Sequence, residues 1–210
     1  MTAPSWIGSG MGSESVAGSR DDGAVIEASL HDPELFAELF RRHAPQIHRY
    51  TLRRLGADTA EDVVADTFLT AFQQRDRYEC ARRDARPWLY GIATHLISRH
   101  RRLEVRQYRA LARTGIDPLV EPFTDGVDAR VSADSASRQL AAALARLPAT
   151  HRDVLLLVGW EDLSYEQAAD ALGVPVGTVR SRLSRARTAL RRALGEHAPQ
   201  PSPVRREVQS

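Results

Sequence analysis

The residues with the clearest chemical reading run from Ser164 to Leu183, Ser-Tyr-Glu-Gln-Ala-Ala-Asp-Ala-Leu-Gly-Val-Pro-Val-Gly-Thr-Val-Arg-Ser-Arg-Leu. Ser164 is placed to cap a short helix, and Gln167 stands three residues on, where a capping-box partner belongs. Ala168 and Ala169 are small enough for a second helix to approach closely. Gly173 suits the left-handed residue that ends a helix. Pro175 suits the first turn of the next one, where its missing N–H has no intrahelical partner to lose. Val179, Leu183, Ala186 and Leu190 then recur at helical spacing and form one apolar stripe. The other face carries Gly177, Ser181, Ser184, Arg185 and Thr188, flanked by Arg180, Arg182 and Arg187. This pattern predicts a helix-turn-helix whose second helix lies in a DNA groove. Its predicted DNA-contact set is Gly177, Thr178, Arg180, Ser181, Arg182, Ser184 and Arg185.

A helical hairpin with a solvated basic face is the plainer alternative. From Pro175 to Leu194, however, the sequence holds six arginines and no acidic residue. A solvated helix usually interleaves both signs for pairing at i,i+4. Unrelieved positive charge repels itself unless a polyanion neutralises it.

The chain of 210 residues is long enough for one large domain or two small ones with their own cores. Its net charge is only +2, so the basic character is local. All 29 basic residues are arginine, which suits phosphate and guanine recognition, although a total absence of lysine points first to coding bias. A single cysteine, Cys80, excludes an intramolecular disulfide and disfavours a cysteine-based zinc site. No apolar run reaches the length of a membrane span, and the first residues lack the charged start and apolar core of a secretory signal. The expectation is a cytoplasmic protein with no membrane insertion, no metal and no cofactor.

Helical periodicity organises the rest. Asp32-Pro33 reads as a helix start, and Phe36, Leu39, Phe40, His43, Ile47, Tyr50 and Leu55 keep helical spacing until Gly56, with a kink or break expected at Pro45. A second helix is predicted from Asp58, with Glu61 as capping partner. It buries Val63, Val64, Phe68, Ala71 and Phe72 and presents Asp62, Asp66, Leu69 and Gln73 in one outward stripe. A charged loop from Asp76 to Arg86 leads to a third helix opening at Pro87, whose end is crowded by Arg99, Arg101, Arg102, Arg106 and Arg109. Glycine and proline then break the pattern, which resumes with Leu140, Leu144, Leu147 and a helix start at Pro148. The predicted fold class is all-α: two small helical domains joined by a flexible linker, the second ending in the helix-turn-helix. Expected boundaries are a disordered leader over 1–29, domains over 30–110 and 133–196, a linker over 111–132, and a disordered tail over 197–210.

Three passages, Ala60-Glu61-Asp62-Val63-Val64-Ala65-Asp66-Thr67-Phe68, Trp88-Leu89-Tyr90-Gly91-Ile92-Ala93, and Leu147-Pro148 through Leu183, together resemble a bacterial sigma factor of the extracytoplasmic-function group. The resemblance covers about two-thirds of the chain. It implies that the first domain is sigma region 2, which holds core RNA polymerase and opens and reads the minus-ten promoter element. The second is region 4, which reads the minus-thirty-five element. It also implies that Asp62, Asp66, Leu69 and Gln73 dock on the polymerase clamp helices, and that the loop from Glu79 to Arg86 captures a flipped base. The downstream DNA set is then Arg82, Arg83, Tyr90, His95, Arg99, Arg102 and Arg106, with Trp88 assigned to the core. His95 stands where the family commonly has asparagine. Gly91 follows Tyr90 where some relatives carry a larger residue, and close approach of DNA is the expected reason.

The implied partners are core RNA polymerase, promoter DNA and an anti-sigma factor, and the implied regulon answers stress or envelope signals. A stand-alone helix-turn-helix regulator is the alternative, disfavoured by the first domain's acidic stripe and basic melting helix. An enzyme is the weakest reading, since no phosphate-binding glycine loop, metal-spaced ligand set or nucleophile elbow occurs.

Overall fold

The computed structural model describes residues 21–114 and 127–195, apart from the side chains of 127–135. Among these residues the regular structure is entirely helical. The first half comprises α1 (Asp22–Ser29), α2 (Phe36–Leu55), α3 (Ala57–Gln73), α4 (Arg86–Arg99) and α5 (Arg101–Thr114). The second comprises α6 (Val127–Arg146), α7 (Ala149–Gly159), α8 (Tyr165–Leu172) and α9 (Val176–Leu194).

The first-half core forms where α2, α3 and α4 meet. Leu39, Ile47, Tyr50, Val63, Val64, Phe68, Leu89, Ala93 and Ile97 are all buried there. Edge-to-face aromatic pairs lock the helices together. Phe36 meets Phe72 at 5.3 Å, Phe40 meets Phe68 at 4.8 Å, and Tyr50 meets Tyr90 at 5.2 Å between ring centroids. In the second half, Leu144, Val154, Leu156, Leu157, Ala168, Val179, Leu183 and Ala186 are buried.

Several sequence expectations need correction. The expected leader reaches Ser29, but its last eight residues form α1, with Asp21 as N-cap accepting the Ala24 N–H and Val25 and Ile26 buried in the core. A short helix that inserts only two large apolar residues leaves little periodicity to detect. Pro45 neither breaks nor ends α2, which runs through it to Leu55. Proline forgoes one backbone bond there, and burial of Ala44 and Ile47 on either side keeps the helix against the core. Gly56 at φ +83° turns α2 directly into α3, so Asp58 lies in the first turn rather than at the cap. The arginine-rich segment after Arg99 is a separate helix, because the chain turns at His100 (φ −103°, ψ 23°). The expected linker is shorter at both ends, since α5 continues to Thr114 and α6 begins at Val127. Residues 1–20, 115–126 and 196–210, most of the expected leader, the linker centre and all of the expected tail, lie outside the described residues.

The two halves pack against each other. Arg54 of α2 donates through Nε to Glu104 of α5 at 2.6 Å, and Arg152 of α7 donates to the other Glu104 oxygen at 2.8 Å. Arg54 also reaches Asp153 and the Tyr50 hydroxyl. The second Arg152 nitrogen donates to the carbonyls of Leu144 and Leu147 at 2.8 and 3.2 Å, closing the end of α6. Arg54, Glu104 and Arg152 are each at most 2% exposed. Such charges are tolerated inside a protein only when paired, as these are.

Candidate nucleic-acid interface

The helix-turn-helix forms by the local rules its sequence obeys. The Gln167 N–H donates to the Ser164 hydroxyl at 3.1 Å, and the Ser164 N–H donates to the Gln167 amide oxygen at 2.9 Å, completing a capping box. Gly173 takes the left-handed conformation (φ 61°, ψ 38°), and the Val174 N–H closes back on the Ala169 carbonyl at 3.1 Å. Pro175 precedes α9 with its carbonyl accepting the Thr178 N–H at 2.8 Å. Val179, Leu183 and Ala186 face the core, with Leu190 half-buried beyond them. The opposite face exposes Gly177, Arg180, Ser181, Ser184 and Arg185, while Thr178 and Arg182 are half-buried at its margins. The residues assigned to DNA therefore lie on one face of α9 or at its margins.

A second basic surface lies on α4 and α5. His95, Arg99, Arg102 and Arg106 are exposed. A cleft lined by Arg101, Arg102, Arg106, Arg109 and Arg113 around Val105 extends it toward the end of α5. Arg113 was not among the expected residues, although 102, 106, 109 and 113 follow i, i+4, i+7 and i+11 spacing on one helix face. A separate cleft brings His95 and Arg99 beside Trp88, Gly91, Asp66 and Thr70, and is lined as well by Asp170 and Ala171 of α8.

The loop before α4 is braced inside and tied outside. Arg82 pairs with Glu79 and with Asp170 of α8, both at 2.8 Å, and Arg83 pairs with Asp21 at 3.2 Å. Asp84 receives both the Arg86 guanidinium at 2.8 Å and the Gln167 amide nitrogen at 2.9 Å. Burial works to raise the Asp84 carboxyl pKa, and its bonds from Arg86 outweigh that and lower it.

Two assignments on α4 are corrected. Tyr90 is 1% exposed, packs edge-on against Tyr50, and donates its hydroxyl to Glu161, so its ring is not offered to a base. Burial pushes the Tyr90 hydroxyl pKa up, reinforced by the Glu161 bond, so it stays a donor. The close approach at Gly91 comes from protein. A Cβ there would stand 2.6 Å from the Ala171 carbonyl oxygen at the end of α8. Trp88 is half-buried, tilted against Tyr78 at 4.8 Å, with an edge in both neighbouring clefts.

On α3, Asp62, Asp66, Leu69 and Gln73 are exposed on one face. Leu69 is 54% exposed, and Leu30 is the other exposed large hydrophobic side chain among the described residues. No group of three or more potential metal ligands occurs among the described residues, and none of their helices is long and apolar enough to cross a membrane.

The family models for Sigma-70 region 2 and Sigma-70 region 4 match residues 39–107 and 137–190. The ECF RNA polymerase sigma factor SigL of Mycobacterium tuberculosis is 36% identical over 174 residues, covering 82% of this chain and 96% of SigL. This chain belongs to the ECF sigma factors. SigE of Mycolicibacterium smegmatis is 34% identical over 166 residues, 77% of this chain but 62% of that longer protein. Among solved structures, the sigma factor RpoE of Bartonella quintana, determined with the anti-sigma factor NepR, is 27% identical with a TM-score of 0.54. That match covers 76% of this chain and 96% of RpoE. As an ECF sigma factor, the protein binds core RNA polymerase and directs initiation at specific promoters.

Proposed function

We propose that this sigma factor divides promoter recognition between two separately built surfaces and holds polymerase with a third. The exposed face of α9, through Gly177, Thr178, Arg180, Ser181, Arg182, Ser184 and Arg185, reads the upstream element. The loop residues Arg82 and Arg83, with His95, Arg99, Arg102 and Arg106, engage the downstream element and its melted strand. Asp62, Asp66, Leu69 and Gln73 dock on a basic, partly apolar surface of core polymerase.

The observation that carries this division is the segregation of surface types. The solvent face of α9 is basic and free of acid, whereas α3 combines carboxylates with an exposed leucine. Exposed apolar surface ringed by charge suits a protein partner, and an acid-free arginine face suits a polyanion. Bases leaving the stack need contacts that offset an unstacking cost of a few kcal/mol. The cleft beside Trp88, His95 and Arg99 offers polar and aromatic edges for that.

Neither an active site of its own nor a cofactor is needed, since the chemistry belongs to the polymerase. The protein works in the cytoplasm, where that enzyme is, and its family supports a regulon answering stress or envelope signals. The complex of RpoE with NepR supports an anti-sigma partner here as well. The test is run-off transcription by purified core polymerase on a promoter library, with and without the protein. Promoter-specific transcripts that depend on it are expected. Sequence-specific DNA binding without any such transcript would favour a stand-alone regulator.

A further inference from the structure

The loop between α3 and α4 makes its outermost backbone bonds to α1. The Asp22 N–H donates to the Arg83 carbonyl at 3.1 Å, and the Ala85 N–H donates to the Asp22 carboxylate at 2.9 Å. One residue of α1 thus brackets three residues of the loop from both sides. Next to it, Gly23 touches the loop backbone directly. A Cβ there would overlap the Cys80 carbonyl oxygen and stand 2.8 Å from that of Arg82. The carbonyls of Cys80, Arg82 and Arg83 therefore face α1, and the side chains of Glu79, Ala81, Arg82 and Arg83 are exposed.

α1 is itself fixed to the body of the domain. The Asp22 oxygen that accepts the Ala85 N–H also accepts His43 Nε2 at 2.8 Å, and the other oxygen accepts Arg42 at 3.1 Å. A carboxylate only accepts, so His43 is the donor. Val25 and Ile26 seat the helix in the core. Asp22 thereby ties the loop to α2.

We propose that Asp22 and Gly23 are positioning residues for promoter recognition: α1 holds the backbone of the 79–85 loop in the one conformation that presents its side chains to the downstream element. This rests on the proposed reading of that loop as a DNA contact. Direct readout tolerates little misplacement, and a loop of such short span has few bonds of its own to define it. Its own backbone is held by the Tyr78 hydroxyl, which donates to the carbonyls of Arg82 at 2.9 Å and Asp84 at 3.3 Å, by the Arg82 N–H donating to the Glu79 carbonyl at 2.9 Å, and by the Arg86 N–H donating to the Asp84 carboxylate at 2.9 Å.

The test is transcription with core polymerase on promoters randomised separately in the downstream and upstream elements, using the full chain. Asp22→Ala is expected to lower discrimination at the downstream element about tenfold, the scale of one base contact, and to leave the upstream preference unchanged. Asp22→Asn keeps an oxygen for the Ala85 and His43 donors and is expected to restore the wild-type preference. Gly23→Ala displaces the loop with the carboxylate intact and is expected to alter the same preference. Val25→Ala, which removes core packing from α1 and keeps Asp22 and Gly23, separates positioning from stability. If it broadens the preference as much as Asp22→Ala at equal loss of melting temperature, the proposal is overturned. Unchanged downstream preference in folded Asp22→Ala and Gly23→Ala also overturns it. Should Asp22→Ala not fold, Gly23→Ala against Val25→Ala decides alone. A wild-type protein indifferent to the downstream sequence removes the loop reading itself, and the proposal with it.

Discussion

Arg152 of the second half donates to Glu104 of the first at 2.8 Å, with both side chains buried and Arg54 bonded to the other Glu104 oxygen. One carboxylate is therefore shared by two arginines that reach it from helices on opposite sides of the domain junction, and Asp153 supplies the second negative charge through Arg54. Glu104→Ala leaves both guanidiniums buried without their shared partner, which is expected to cost about 3–5 kcal/mol. Urea unfolding followed by circular dichroism measures it. A loss below about 1 kcal/mol would mean that water or Asp153 replaces the missing carboxylate.

Helix propensity and docking oppose each other at Gly91. Alanine there gains up to about 1 kcal/mol of helix stability in α4. Its Cβ, however, collides with the Ala171 carbonyl at 2.6 Å, which is backbone and cannot swing aside. The expected outcome of Gly91→Ala is a first domain of undiminished stability with α8 displaced from α4. Small-angle scattering should show a larger radius of gyration, and Gly91→Leu should enlarge it further. An unchanged radius in both variants would show that the α4–α8 contact yields without separating.

Acid should weaken the α1 attachment only below about pH 4. Burial raises the Asp22 carboxyl pKa, but the bonds from His43, the Ala85 N–H and Arg42 prevail and lower it from 3.8 to about 2. A carboxylate with a depressed folded pKa stabilises the protein above its unfolded value and loses that contribution as pH falls through the folded one. The predicted contribution is on the order of 2 kcal/mol, present above about pH 4 and lost toward pH 2. Equilibrium unfolding of wild type and Asp22→Asn over this range should show the difference between them shrinking as acid is added. A constant difference would assign the effect to packing rather than ionisation.

The helix-turn-helix was legible in detail because its signals are local: a capping box, a glycine turn and a periodic stripe lie within thirty residues of one another. The apolar faces of α2 and α3 were legible for the same reason. What sequence could not disclose depends on distant segments meeting. Gly91 gives no sign that its neighbour is Ala171, and Tyr90 reads as a stacking residue until Tyr50 and Glu161 are seen to enclose it. The buried Arg54, Glu104 and Arg152 resemble ordinary surface charges along the chain, since nothing local distinguishes a solvated arginine from one paired across a domain junction. α1 escaped for a different reason: it is short, and its principal work is done by one aspartate and one glycine.

Polymerase docking should be separable from folding. Asp62 and Asp66 are exposed and one helical turn apart, with Leu69 beside them, while the opposite face of α3 is buried through Val63, Val64 and Phe68. Asp62→Arg combined with Asp66→Arg is expected to weaken core binding at least tenfold and leave the circular dichroism spectrum unchanged, as expected when steering charges are reversed at a protein interface. A pull-down with purified core measures it. Equal affinity in the double variant would move the docking surface elsewhere.

The arginines of α9 should differ in what they contribute. Arg185 is exposed near the centre of the outward face, with Ser181 about a turn before it and Thr188 about a turn after it. Arg191 lies in the last turn, where its guanidinium reaches the Thr188 hydroxyl at 3.4 Å. A guanidinium at the centre of a groove-bound helix can hold guanine with two bonds, worth about 1–3 kcal/mol of discrimination, whereas one at the margin meets phosphate, which adds affinity without sequence preference. Arg185→Ala is therefore predicted to change the preferred upstream element. Arg191→Ala should weaken binding to all sequences alike and reduce the salt slope by about one phosphate contact. Selection from randomised DNA with each variant, followed by titration at several salt concentrations, distinguishes the two effects. If Arg185→Ala selects the wild-type sequence, its role is anchoring, and base reading falls to Arg180 and Ser181, which are exposed one turn earlier on the same helix.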